Sequence, residues 1–512
     1  MPRAAGTASR TAPSWNSRTA DPTNGTTPAT RPPMSRTARC PHAQETHMAD
    51  IAIIGGGAAG AAVFGELLRR ADHGGTVHWI TGGAAPGRGV AYATADDRHL
   101  LNVRAAGMGL FAEQKGEFLQ HASRHLGHAQ GSDFLPRRLF GEFIEAQLRT
   151  RIAEAHARGR RFQVHDTRAA AVRRQPQAGY HVELENGAAL ATDAAVLAIG
   201  ALAPRPLKTV SMQVLDSGAY ILDPWNAPEP PRPPRRVLVI GTGLTAVDTL
   251  ISTAARWPKA ELIAVSRHGL LPFRHPAAPV APYPYQDDLN AALLACDGAA
   301  PMTRLVREAI AGVAGTDWRA VVDGMRPINA TLWQGFTLAQ RRQFLRHLRW
   351  VWEASRHRTA PASYEIVQEL IESGRLQVQG ARVLAVDGSG PIAVTLRSRT
   401  TQLTSTIEVD RVIQATGLDT AVAYARDPLL AQLLGAGLAT PDPLQLGLAA
   451  TPDGQLLDAH GRAQPGLYGI GSLLRGNLWE CTAMPEIRIA ASRLAQALTE
   501  DGETRSEEAA AN

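Results

Sequence analysis

Cysteine is nearly absent: the 512-residue chain has Cys40, Cys296 and Cys481 and no others. No two of them have the spacing of a zinc site or a Cys-X-X-Cys redox couple, which excludes a zinc module and an internal disulfide relay. Such sparing use fits a reducing compartment, and a cytoplasmic location is expected. Long apolar runs are lacking as well. No stretch approaches the roughly 18 successive apolar residues of a membrane span, and the N-terminus lacks the apolar segment of a secretory signal. Strong charge is also missing. The formal net charge is +6, but residues 1–47 hold six arginines against Asp21 and Glu45, so this tail supplies +4 and leaves about +2 for the rest. A body so close to neutral offers little to a nucleic acid. Neither a nucleic-acid nor a membrane partner is expected.

What is present is length and a duplication. At 512 residues the chain exceeds one ordinary core, and 44% apolar with 20% charged residues is globular composition. Two strand-Gly-helix units each lead into strands that end in a small-residue turn. The first opens at Ile51-Ala52-Ile53-Ile54-Gly55-Gly56-Gly57-Ala58-Ala59-Gly60 and closes at Ala194-Ala195-Val196-Leu197-Ala198-Ile199-Gly200. The second opens at Val237-Leu238-Val239-Ile240-Gly241-Thr242-Gly243-Leu244-Thr245-Ala246 and closes at Val412-Ile413-Gln414-Ala415-Thr416-Gly417. Residues 180–184 and 392–396 alternate as half-exposed strands do, which predicts a β-meander in each unit. A proline-rich connector over 228–234 separates the units.

The fold class predicted is α/β, with two Rossmann-like dinucleotide-binding domains, the first split by insertion of the second. The expected boundaries are a disordered tail over 1–48, a first domain at 49–205 resumed at 416–498, a second at 235–415, and a disordered tail over 499–512. A helical insertion is expected at about 287–373, where Trp350 and Trp352 are read as core residues.

Each glycine in these openings has a physical task. Gly55 and Gly241 permit the tight turn, Gly57 and Gly243 let the backbone approach a pyrophosphate, and Gly60 or Ala246 lets helix pack on strand. Phosphates then sit at the positive helix N-terminus, against Ala58 and Ala59 or Leu244 and Thr245. The acid that ordinarily binds the ribose about 20 residues on is replaced by Thr81. The second unit's next strand ends in Ser266-Arg267-His268 instead of an acid. A guanidinium there matches a phosphate fork and favours NADPH, with NADH the other possibility. Two nucleotide sites imply electron flow from nicotinamide to flavin. With no disulfide or metal cluster to receive the electrons, dioxygen is the acceptor expected, and a small substrate is oxygenated. No metal site is expected.

Further residues sharpen this reading. Pro86-Gly87-Arg88-Gly89-Val90-Ala91-Tyr92, Leu100-Leu101-Asn102-Val103 and Met108, with Ser266-Arg267-His268-Gly269-Leu270-Leu271-Pro272 and Arg475-Gly476-Asn477-Leu478-Trp479-Glu480, Pro485-Glu486-Ile487-Arg488, complete a pattern. It resembles the bacterial FAD/NAD(P)-binding monooxygenase family that includes FAD-dependent urate hydroxylase and aspartate N-monooxygenase, over about 49–498. The resemblance implies that Arg88, Asn102 and Met108 lie along FAD and that Gly471-Ser472 stands where Gly-Asp usually holds the ribityl chain. Asn477, Trp479, Glu480 and Arg488 are the implied substrate contacts, Trp479 stacking on a planar ring and Arg488 pairing with an anion. Arg326 and the Arg356-His357-Arg358 cluster are read as packing or phosphate-adjacent groups.

The reaction expected is hydroxylation of urate to 5-hydroxyisourate. The alternatives are N-hydroxylation of an amino acid of the aspartate type, flavin reduction or dehydrogenation without oxygen insertion, and a flavin-binding sensor without turnover. The sequence leaves the oligomeric state open.

Overall fold

The computed structural model describes residues 49–512, except 71–74, 84, 115, 314, 316, 389, 418 and 512, and only the backbone of 501–511. The tail expected over 1–48 lies outside these residues.

Ile51–Ile54 is wholly buried on both faces, as an Ile-Ala-Ile-Ile run in the middle of a parallel sheet should be. It pairs in parallel with Val77–Ile80 on one side and Ala194–Leu197 on the other. Alternation along the strand assigns its residues to two cores. Ile51 and Ile53 face the helices, packing with Phe64, Trp79 and Met108. Ala52 and Ile54 face the three-stranded meander, packing with Val172, Tyr180 and Val182. Six strands make this sheet, and one of them, Ala463–Gly469, comes from near the end of the chain and pairs in parallel with Ala194–Leu197. The first domain is therefore completed only after the second has been threaded through, as the duplication implied. The last helix, Met484–Ala511, continues through residues where a disordered tail from 499 was expected.

The second sheet repeats the plan with seven strands, centred on Arg236–Ile240 between Glu261–Ser266 and Arg411–Gln414. Val237 and Val239 pack with the helix Leu244–Arg256, while Leu238 and Ile240 pack on the meander side. The two meanders differ. In the first domain three strands form a separate sheet, whereas in the second the 12-residue strand Leu376–Asp387 pairs in parallel with Glu261–Ser266 and then antiparallel with Ile392–Ser398. The short edge strand Tyr220–Ile221 joins this sheet beside Arg411–Gln414, ahead of the boundary expected at 235.

The insertion is helical, running from Gln286–Leu294 to Arg349–Arg356, with Pro361–Glu372 following it. That last helix packs on Leu244–Arg256 through Val367 and Leu370 and so belongs to the nucleotide-binding layer. The others enclose their own apolar core, which also takes in Leu446 and Trp479 from the resumed first domain. Trp352 packs against this core, but Trp350 does not: it is 36% exposed and stacked on His268, contrary to the core position expected.

Polar contacts join the two nucleotide-binding domains. Arg137 pairs with the buried Asp248 at 3.0 Å, and Ser252 donates to Asp96 at 3.1 Å while its hydroxyl lies 2.5 Å from His99 Nε2. Burial pushes the Asp248 carboxyl up, and the charges of Arg137 and His99 oppose that rise. His275 Nε2 donates to Asn102 O at 3.1 Å, and Arg104 donates to Pro276 O at 2.6 Å. Among the described residues no helix is long and apolar enough to cross a membrane.

Candidate functional site

The two glycine turns have the same backbone geometry. Gly55 has φ +132° and Gly241 φ +133°. A Cβ at Gly55 would lie 2.2 Å from Ala198 O, and one at Gly241 would lie 2.1 Å from Ala415 O. Each turn therefore presses on the end of the strand that closes its unit, and only glycine fits. The helices Ala58–Arg69 and Leu244–Arg256 begin at Gly57 and Gly243, with no side-chain cap and no acid in the first turn. Their leading N–H groups are left for a phosphate, as two dinucleotide sites require. Gly200 and Gly417 sit at mirrored turns with φ +74° and +86°, each with open space where a side chain would stand.

Around this shared plan the surroundings diverge. In the first turn Gly56 is closed over by Thr81, whose carbonyl would lie 2.3 Å from a Cβ. Gly87 N donates to Gly56 O at 2.7 Å, and Gly89 stands against Gly57. Gly60 packs so tightly that a Cβ would lie 2.0 Å from Gly55 O, while Trp79 Nε1 donates to that oxygen at 3.0 Å. Gly471 completes the wall, 3.7 Å from Ala59 Cβ when given a Cβ of its own, and Ser472 follows half-buried. In the second turn Thr242 replaces Gly56 and bonds through its hydroxyl to Ser266 and Leu270 O, and Gly243 faces open space.

The ribose position of the first unit differs from the linear reading. Thr81 is buried at 4% exposure and its hydroxyl already donates to His165 O at 3.2 Å. A carboxylate stands just past the end of the adjacent strand, Phe162–His165: Asp166 Oδ1 is 3.4 Å from Thr81 Oγ1. No motif spacing could reveal a residue 85 positions away. At the matching place in the second unit Arg267 is exposed and has no protein partner among the described residues. His268 is stacked on Trp350 with 4.3 Å between centroids and hydrogen-bonded to Arg399, a cation the sequence did not single out. Burial lowers the His268 pKa, and Arg399 and Arg267 lower it further, so the imidazole is neutral at pH 7 between two guanidinium groups.

Other expected cofactor residues have protein partners of their own. Arg88 forms a two-pronged pair with Glu145 at 2.6 and 3.0 Å. Met108 is a core residue at 2% exposure. Asn102 contributes its carbonyl to the seam with His275.

The four implied substrate residues separate into two pairs. Trp479 and Glu480 border the insertion. Trp479 has φ +58°, is 6% exposed and is stacked on Trp333 at 4.8 Å. Glu480 accepts from Asn329 Nδ2 at 2.9 Å, Trp352 Nε1 at 3.0 Å and Arg356 Nε at 3.2 Å. Beside it, burial lowers the pKa of His357 against the opposing pull of Glu480. Asn477 instead donates to Ala450 O and Thr451 O, and Arg488 donates to Gly107 O at 3.3 Å. Arg326 and Arg358 are paired with Glu486 and Asp323. Cys481 is buried, its thiol pushed up to about 12 by desolvation, which makes it inert. Trp479 also lines a cavity of about 280 Å³ within the insertion, whose walls include Trp333, Phe344 and Trp352.

A parallel sheet flanked by helices and a meander, built twice around matching glycine turns, defines a dinucleotide-binding flavoprotein fold. Residues 52–202 match the family model described as FAD-NAD(P)-binding. The chain superimposes on the ornithine N-hydroxylase of Kutzneria sp. 744 in complex with reduced FAD, NADP+ and L-ornithine, with TM-score 0.61 and 16% identity, covering 89% of this chain and 100% of that one. It also matches the L-lysine 6-monooxygenase of Pseudomonas syringae, with TM-score 0.59, 16% identity and coverage of 89% and 100%. The FAD-bound cadaverine monooxygenase of Erwinia amylovora matches with TM-score 0.58, 12% identity and coverage of 89% and 95%. No protein of curated function matches the sequence. At these identities the likeness is one of fold: the chain has the fold that holds FAD and NADP(H).

Proposed function

We propose that this protein is an FAD- and NADPH-dependent monooxygenase that hydroxylates the nitrogen of a small amine. The observation that carries the proposal is the pair of glycine turns at Gly55 and Gly241, equal in φ and in their approach to Ala198 O and Ala415 O, on one chain with the described fold. Likeness along 89% of the chain to enzymes acting on ornithine, lysine and cadaverine favours nitrogen over the urate reading.

The overall reaction balances as R–NH2 + O2 + NADPH + H+ giving R–NHOH + NADP+ + H2O. FAD, when bound, accepts the hydride and activates oxygen. Gly55, Gly57, Ala58, Ala59 and Gly60 hold its pyrophosphate at the helix N-terminus, and Thr81 with Asp166 borders its ribose. Gly200, Gly417, Gly471 and Ser472 leave room for the ribityl end. Gly241, Gly243, Leu244 and Thr245 hold the NADPH pyrophosphate. Ser266 shapes the strand end, and Arg267, with His268 and Arg399, receives the 2′-phosphate.

The test supplies flavin-loaded protein with NADPH, oxygen and, in turn, ornithine, lysine, cadaverine, other amines, aspartate and urate, and measures NADPH oxidation together with product. A hydroxylamine formed in step with NADPH consumption is expected. Urate-dependent consumption yielding 5-hydroxyisourate would restore the urate reading. Oxidation of NADPH with no oxygen entering any product would leave a reductase.

A further inference from the structure

We infer that the cavity inside the helical insertion is the substrate pocket and that it takes an amine with an aromatic or branched apolar body, such as an arylalkylamine. This inference rests on the monooxygenase reading above. The cavity measures about 280 Å³, near the lower end of small-molecule sites at about 300 Å³. One wall is Trp479, eight residues beyond Gly471, which packs against Ala59 at the start of the first unit's helix, and another is Trp318, 5.4 Å between ring centroids from Phe273 in the segment that follows Ser266-Arg267-His268, so the pocket is walled by residues tied to both nucleotide halves.

The lining decides the chemistry. No carboxylate lines the cavity. The indole N–H groups of Trp333 and Trp352 are already spent, on Gly476 O at 2.7 Å and Glu480 Oε1 at 3.0 Å, leaving their carbon faces to a ligand. Thr303 turns its hydroxyl back to Ala299 O at 2.8 Å. Asn329 is the amide on the wall; its Nδ2 is held by Glu480, and its Oδ1 has no protein partner among the described residues. An amine N–H fits that acceptor.

Such walls discriminate against cadaverine, lysine and ornithine through their second ammonium group, which meets no carboxylate and is repelled by Arg307, the charged residue on the wall; only the carboxylate of lysine or ornithine finds a counter-charge there, and an unpaired buried charge is costly. The same walls favour the uncharged form of the amine. That form keeps the nitrogen lone pair that receives oxygen. The rings are fixed for this role: Trp333 is stacked on Trp479, Arg475 lies 4.8 Å from the Trp479 centroid, and Arg341 lies 5.3 Å from that of Trp333.

The experiment titrates tryptamine, phenethylamine and cadaverine into the flavin-loaded enzyme by calorimetry, then measures amine-dependent NADPH oxidation with the same compounds. Tryptamine or phenethylamine is expected to bind and turn over with KM at least about tenfold below that of cadaverine, the value of roughly two buried methylenes. Val306→Trp and, independently, Val351→Phe fill the cavity and are expected to raise the arylalkylamine KM about tenfold or more. Reduction of the flavin by NADPH in each variant reports that it is folded. Preference for cadaverine, or an unchanged KM in both folded variants, would overturn the pocket assignment and leave the monooxygenase reading intact. Binding of tryptamine by calorimetry with no oxygenated product from any amine would instead overturn the monooxygenase reading and leave the pocket.

Discussion

The two glycine turns share a backbone but not an environment. Around Gly55 the chain closes in: Gly56 lies under Thr81, Gly87 bonds to Gly56, and Gly89 stands against Gly57. Around Gly241 it stays open, with Gly243 facing empty space and a threonine in the middle of the turn. The difference matches two kinds of nucleotide use. A cofactor that remains through many cycles gains from a site that must open to release it, whereas a coenzyme that must leave after each hydride transfer needs an accessible one. On the proposed function the first turn is the holding site and the second the exchanging one, and the difference in the structure lies in what packs on each turn.

That contrast can be broken first at its most constrained positions. Gly55→Ala combines positive φ with a collision against Ala198 O, a cost of about 3 kcal/mol or more. The expected protein is flavin-free and has a strongly lowered Tm. Gly241→Ala meets the same backbone collision in the other domain, so it should retain flavin while losing reduction by NADPH about 100-fold or more, the kinetic counterpart of about 3 kcal/mol. Flavin content and stopped-flow reduction distinguish the two; equal flavin loss in both would mean the halves are not separable.

The seam between the halves has its own signature. Burial and the charges of Arg358, Arg104 and Arg356 hold the His275 pKa at about 3, against 6.5 ordinarily. Between those values the unfolded chain carries a proton the folded one refuses, so stability falls as pH drops below 6.5, by up to about 1.4 kcal/mol per pH unit, and is unaffected by this group above 6.5. Tm measured from pH 7 to 4 should decline less in His275→Gln, which loses the titrating group. An identical decline in the variant would place the acid sensitivity elsewhere.

Smaller effects sharpen the comparison. Arg267→Ala should raise KM for NADPH about tenfold with little change for NADH, since one charged phosphate contact contributes about 1.5 kcal/mol. Arg399→Ala should act in the same direction, more weakly. Asp166→Ala should weaken FAD retention only a few-fold, about 0.5–1 kcal/mol for one exposed hydrogen bond, measured by flavin loss on dilution. An effect of Asp166→Ala on NADPH and not on FAD would contradict its place beside Thr81.

The glycine turns, their strands and helices, the split of the first domain and the helical insertion were legible because each is written in contiguous residues. Strand, turn and helix lie within about 20 positions, and period and turn chemistry specify them. What could not be read depends on distant chain segments meeting. Asp166 reaches Thr81 from just past the end of a neighbouring strand, Arg399 reaches His268 from a hairpin 131 residues away, and Trp479 stacks on Trp333 across the insertion boundary. Similar residue types also took different fates. Trp352 borders a core while Trp350 covers His268 at the surface, and Met108, expected along the flavin, is buried among Phe64, Trp79 and their neighbours. Burial on one face or the other is decided by tertiary packing, which a tryptophan or methionine in isolation does not record.

The most direct test of the two-site account is anaerobic addition of NADPH to the purified protein while its visible spectrum is followed. The protein is expected to emerge with FAD bound, lose the oxidised-flavin absorbance on NADPH addition, and regain it when oxygen is admitted. Protein that cannot retain FAD, or whose FAD stays oxidised under NADPH, would contradict the two-site account.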